Sequence, residues 1–144
     1  HHLLYAYSPD RFQTPEEYNE RYPGDDIIDM LAFDLYERGP EYAGVLKNCA
    51  TMVSKLAAEK GKLGAVSEAG GRIAVNTDWW TKTVLETLRP IPLSYILVWR
   101  NPWQQPAAAF APYKDHPGSA DFIKFCDDPH TLFQQDVSKA KLYQ

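Results

Sequence analysis

Four short, mostly apolar runs recur along the chain at nearly constant spacing: LLYAY (3–7), IIDMLAF (27–33), LGAVS (63–67) and LSYILVW (93–99). None alternates cleanly between apolar and polar residues, which is the habit of strands covered on both faces. They end near Tyr7, Asp34, Glu68 and Trp99, so successive units span 27, 34 and 31 residues. Helical patterns fill the intervals. PEEYNERY (15–22) follows Thr14 as N-cap, with Pro15 at the first helical position and Glu17 completing a capping box. Residues 41–61 carry one apolar stripe of Tyr42, Val45, Leu46, Cys49, Val53, Leu56 and Ala57, stopped by Gly61. DWWTKTVLETL (78–88) predicts a helix capped by Thr77 or Asp78, and SADFIKFCDD (119–128) a shorter one capped by Ser119. Strand and helix repeated four times predict a parallel α/β sheet.

The spacing narrows the choice. A (β/α)8 barrel of about 250 residues allots about 31 to each unit, so four units make half a barrel, with two raw sheet edges and an uncovered core. The alternative is a small doubly wound sheet. Against it, no glycine-rich phosphate loop follows any strand; EAGGRIAV (68–75) lacks the required spacing and a helix start behind it. No low-complexity linker divides the chain, so residues 1–144 read as one unit, and a half-barrel standing alone is expected to self-associate through its open face.

Bulk properties exclude several function classes. At 144 residues and 44% hydrophobic, the chain can bury a core. A net charge of −4 without basic runs argues against nucleic acid and anionic membrane as partners. No apolar stretch reaches the ~18 residues of a membrane helix. Cys49 and Cys126 permit at most one disulfide; Cys49 lies on a helical stripe, so two reduced, packed cysteines are expected. His116 and His130 lack metal-ligand spacing, so neither a metal nor another cofactor is expected. HHLLYAY begins almost directly on a strand, so either His1-His2 is a tag remnant or the chain is the back part of something larger.

In parallel α/β folds, function collects at the carboxyl ends of the strands. Those ends carry Tyr7-Ser8-Pro9-Asp10, Asp34-Leu35-Tyr36, Glu68 and Trp99-Arg100-Asn101. Aromatic rings stack on the apolar face of a pyranose, amide and charged groups bind its hydroxyls, and a carboxylate can stabilise or attack an oxocarbenium ion. Together they describe a sugar site. Glu68 is the sharpest of them, because an interior-looking strand ending on a carboxylate, with no lysine or arginine beside it, needs a hidden partner or a job. Each residue also has a structural reading. Glu68 could be salt-bridged, Asp34 could pin a loop, Trp99 could be core, and Trp79 and Trp80 could pack a helix on the sheet. Asp25-Asp26 form the turn before a strand.

The phrases AYSPD, RYPGDDIIDMLAFDLY, SEAG, LVWRNPW and DFIKFCDDPHTLF, in this order, resemble the C-terminal half of glycoside hydrolase family 26 over nearly the whole chain. That family is typified by bacterial endo-β-1,4-mannanases on a (β/α)8 barrel. The resemblance implies that the chain covers the last four βα units. It makes Glu68 the catalytic nucleophile on the seventh barrel strand and Tyr36 the residue that hydrogen-bonds and aims it. Trp99 would floor the subsite of the cleaved sugar, and Arg100 would reach the next sugar, with Asn101 beside it. Tyr7 would line the cleft, and Asp34 would touch substrate or support Tyr36. The family's general acid/base is a glutamate on the fourth strand, which this chain lacks. Glu16, Glu17, Glu20, Glu37, Glu41, Glu59 and Glu86 all read as surface. The implied partners are therefore β-mannan or a mannooligosaccharide and the missing N-terminal half of the barrel. The implied setting is outside the cell or in the periplasm. Hydrolysis of xylan or mixed-linkage glucan, or an inactive carbohydrate-binding half-barrel, are the competing expectations.

Overall fold

The computed structural model describes residues 3–36, 39–71, 76–102, 104–105 and 109–141. His1-His2 and Glu37 lie outside the described residues. Four strands form one parallel sheet in the order of the chain: β1 (Ala6–Tyr7), β2 (Met30–Leu35), β3 (Leu63–Ala69) and β4 (Ile96–Val98). A doubly wound sheet reverses its strand order at a switch point, and a barrel does not. The unbroken order β1-β2-β3-β4 is that of a barrel wall.

Helix α1 (Pro15–Asn19) starts where the capping pattern places it. Thr14 Oγ1 accepts from the Glu17 amide at 3.2 Å, and the Glu17 carboxylate accepts from the Gln13 amide. Helix α2 (Tyr42–Lys60) buries Tyr42, Leu46, Cys49, Ala50, Val53 and Ala57 against β2 and β3. Gly61 ends it at φ +64°, a left-handed conformation that glycine adopts without a Cβ penalty.

Two helices differ from expectation. Residues 79–85 wind as a π-helix, Trp79–Leu85, which continues into the single turn α3 (Glu86–Leu88). Neither Thr77 nor Asp78 caps it. Buried Asp121 of helix α4 (Ser119–Cys126) takes that role across space, accepting from the amides of Trp80 and Thr81 at 3.0 and 3.1 Å. Ser119 is not the cap of α4 either; its hydroxyl donates to the Tyr113 carbonyl. Helix α5 (Gln134–Lys139) has no apolar stripe in its QQDVSK sequence and went unpredicted.

The sheet has two unlike faces. Leu31, Phe33, Leu35, Val66 and Ala69 join the helices in one large core that also holds Tyr18, Trp79, Trp80 and Phe125. The opposite face, which becomes the interior of a closed barrel, carries a small cluster of Met30, Ala32 and Ala65. Around it Leu63 (48%), Leu97 (46%) and Trp99 (43%) stand exposed. Both cysteines are free, with Cys49 fully buried.

Candidate active site

The site begins with a defect in β3. Strict alternation would send Glu68 to the helix side with Gly64 and Val66. Instead Phe33 pairs with Val66 and Asp34 with Glu68, which leaves Ser67 as an extra residue in a β-bulge. Val66 and Ala69, three positions apart, both enter the helix-side core, and β4 answers them with Ile96 and Val98 two apart. The bulge therefore turns Ser67 and Glu68 together toward the interior face, beside Asp34.

There the Tyr36 hydroxyl donates to Glu68 Oε2 at 2.8 Å. Burial, and then the carboxylate accepting its proton, push the Tyr36 phenol well above its ordinary range, so Tyr36 remains a donor at any working pH. Asp34 sits in a nest of hydroxyls: Ser8 donates to its Oδ1 at 2.8 Å, and Ser67 Oγ lies 3.1 Å from the same oxygen and from the Phe33 carbonyl. Ser8 and Ser67 also touch each other through their hydroxyl oxygens. Burial raises the Asp34 carboxyl above the usual carboxylate range. The two serines oppose that rise, and the Glu68 and Asp10 charges add to it. A cavity of about 440 Å3 opens beside this cluster, lined by Asp10, Arg11, Asp34 and Tyr36.

Trp99 follows β4 with its amide donating to the Ala69 carbonyl at 3.1 Å. Alternation along β4 puts Leu97 and Trp99 on the face of Glu68. Arg100 is exposed next to it. Asn101 is tied into its own loop: its Oδ1 accepts from the amides of Phe110 and Ala111 at 2.9 Å each, and its amide donates to the Ala111 carbonyl at 2.7 Å. Tyr7 pairs with Leu31 and faces the helices. Its ring meets Tyr18 and Tyr22 edge-on, and its hydroxyl donates to the Tyr18 carbonyl at 3.0 Å. The structure thus brings Glu68, Tyr36, Asp34 and Trp99 to one face, leaves Arg100 at its rim, and places Tyr7 on the other side of the sheet. Trp79 and Trp80 are core, 2% and 4% exposed.

Gly70 and Gly71 lie where aromatic rings come close to the backbone. Among the described residues, the glycines at positive φ are Gly24 and Gly61. A Cβ on Gly70 would lie 2.5 Å from the Phe110 ring and 2.8 Å from the Tyr36 ring, and one on Gly71 would collide with the Trp79 indole nitrogen. Both glycines admit aromatic rings. Sequence reasoning gave no role to Ser8, Ser67 or Phe110. The signal for the serines was the hydroxyls beside carboxylates at neighbouring strand ends; for Phe110 there was none. Among the described residues no three His, Cys, Asp or Glu side chains are placed to hold a metal ion, and no helix is long and apolar enough to cross a membrane.

The sequence profile of glycosyl hydrolase family 26 matches residues 1–105. A mannan endo-1,4-beta-mannosidase of Bifidobacterium adolescentis is 27% identical over 92% of this chain and 15% of its own length. A family 26 β-mannanase structure from Bacteroides ovatus superposes with a TM-score of 0.86 at 40% identity, covering 92% of this chain and 39% of that one. The catalytic domain of an endo-β-1,4-mannanase from Bacillus sp. JAMB-750 gives 0.85 at 29% identity, covering 98% of this chain and 42% of that one. The chain therefore spans about two fifths of these solved relatives, and its parallel four-stranded sheet is part of a (β/α)8 barrel. The chain belongs to glycosyl hydrolase family 26.

Proposed function

We propose that residues 1–144 are the C-terminal half of the catalytic barrel of a retaining endo-β-1,4-mannanase, with Glu68 as its nucleophile. The observation that carries this reading is the 2.8 Å hydrogen bond from Tyr36 to Glu68 on the interior face of the sheet. A hydrogen bond to the charged form favours ionisation of a carboxylate and fixes its direction. Glu68 attacks the anomeric carbon and forms a glycosyl-enzyme while the leaving oxygen is protonated. Water then attacks the same carbon, and the sugar leaves with its configuration retained. Retention needs a second carboxyl group about 5–5.5 Å away. Asp34 adjoins Glu68, but its Oδ1 is held by two serine hydroxyls, so the acid/base comes from the half of the barrel outside this chain. Trp99 supplies a stacking surface, and Arg100 and Asp34 supply contacts to sugar hydroxyls. The mannanase names of the relatives favour mannan over xylan or mixed-linkage glucan. A polymeric substrate of this kind places the protein outside the cytoplasm.

The test uses the complete catalytic domain carrying this chain. Glu68→Ala is expected to abolish mannan hydrolysis, a fall of several powers of ten, and added azide to restore cleavage of an activated aryl β-mannoside as the α-azide. An unchanged rate, or rescue giving the β-azide as for a missing acid/base, ends the nucleophile assignment, and release of the α-anomer as first product by the parent enzyme ends the retaining mechanism.

A further inference from the structure

We infer that Phe110 and Asn101 form a positioning device for the active-site tyrosine, holding Tyr36 so that its hydroxyl meets Glu68. The inference rests on the nucleophile reading above and adds what aims the group that aims the nucleophile. Tyr36 lies one residue beyond the end of β2 and is 40% exposed, so its strand does not fix its ring. An exposed tyrosine in that position would ordinarily keep its rotamer freedom and lose the aim of its hydroxyl.

Three contacts remove that freedom. The Tyr36 hydroxyl is held by Glu68. On one side the ring rests against the bare Cα of Gly70, which is itself anchored to β2 by its amide donating to the Leu35 carbonyl at 3.1 Å. On another side the edge-on ring of Phe110 meets it, with centroids 5.6 Å apart and planes at 67°. Phe110 in turn has no strand or helix to hold it. Its place is set by Asn101, whose side chain accepts from the Phe110 and Ala111 amides and donates to the Ala111 carbonyl. That clasp ties Phe110 and Ala111 to Asn101, three residues beyond the end of β4. Asn101 therefore acts through Phe110, and Phe110 through Tyr36. Gly70 is the space in which both rings meet, since any side chain there would collide with both.

Preorganised geometry of this kind matters because small misplacements of a reacting group cost up to about a hundredfold in rate. Phe110→Ala is expected to lower kcat about tenfold in the complete catalytic domain, with little change in KM. Tyr36→Phe should lower kcat at least as much, and Phe110→Ala added to it should cause no further loss. Phe110→Leu, which keeps apolar bulk, should recover part of kcat, and Asn101→Ala should follow Phe110→Ala in direction.

A second readout does not depend on turnover. With 13C-labelled tyrosine, the Tyr36 phenol in Phe110→Ala should titrate lower than in the parent, toward the ordinary value of about 10, as its ring leaves Glu68. An unmoved Tyr36 titration, or a loss confined to KM, overturns the positioning role and makes Phe110 a sugar contact or plain packing. If the titration moves but Glu68→Ala leaves the rate unchanged, the nucleophile reading falls while the Phe110–Tyr36 clamp stands.

Discussion

The two faces of one sheet, built from alternate residues of the same strands, have opposite chemistry. On the helix side Phe33, Leu35, Val66 and Ala69 are wholly buried among aromatic rings. On the interior side, one residue away along each strand, stand Asp34, Ser67 and Glu68, tied together with Ser8 and Tyr36 by hydroxyl hydrogen bonds. The first face is organised by burial and tolerates only apolar shape. The second is organised by directed donors and keeps carboxylates half-buried. The bulge at Ser67 allows both to coexist, because it turns Glu68 inward without dragging Ala69 out of the core.

That comparison breaks most visibly at neighbouring residues of β2. Phe33→Ala deletes a fully buried ring and should cost about 3–5 kcal/mol in urea denaturation. Asp34→Ala, the next residue, removes a half-buried carboxylate and should cost far less. Equal losses at the two positions would mean that the faces are not energetically distinct.

A smaller effect lies wholly on the helix side, where polar contacts are expected to serve the fold alone. Asp121 receives two backbone amides at the start of the π-helix and so joins α4 to that segment. Asp121→Ala should cost about 1–2 kcal/mol, as the loss of a capping side chain does, with the pH profile of hydrolysis unchanged. A moved pH profile would show that the helix layer reports to the site and that the two faces are not separate.

Much of this architecture was legible in the sequence. The spacing of the strand endings gave the barrel-like order, and the Thr14–Glu17 and Gly61 signals gave the ends of α1 and α2. These features are local or periodic, so a linear string carries them. What escaped was set by tertiary contact. The bulge follows from how β3 registers with two neighbours at once. The π-helix takes its cap from Asp121, some forty residues further on. Tyr7 ends its strand as expected, yet its register with Leu31 turns it to the helices. The same limit explains Gly70, whose neighbour Phe110 is forty positions away in sequence.

The finest contrast between the faces is electrostatic, and Asp34 carries it. Burial raises its folded carboxyl above the usual range, so folding disfavours its charge. The stability this group contributes is therefore fully present below the unfolded carboxyl value of about 3.9 and is lost as pH rises through the higher folded value. Asp34→Asn keeps an acceptor for Ser8 and Ser67 but cannot ionise. The variant should be modestly more stable than the parent at neutral pH, and the gain should fade as pH drops toward about 4. Urea midpoints across that range measure it. A gain that does not change with pH would assign the effect to shape, whereas a loss at neutral pH would mean that the two serine hydroxyls already stabilise the charge more than burial opposes it.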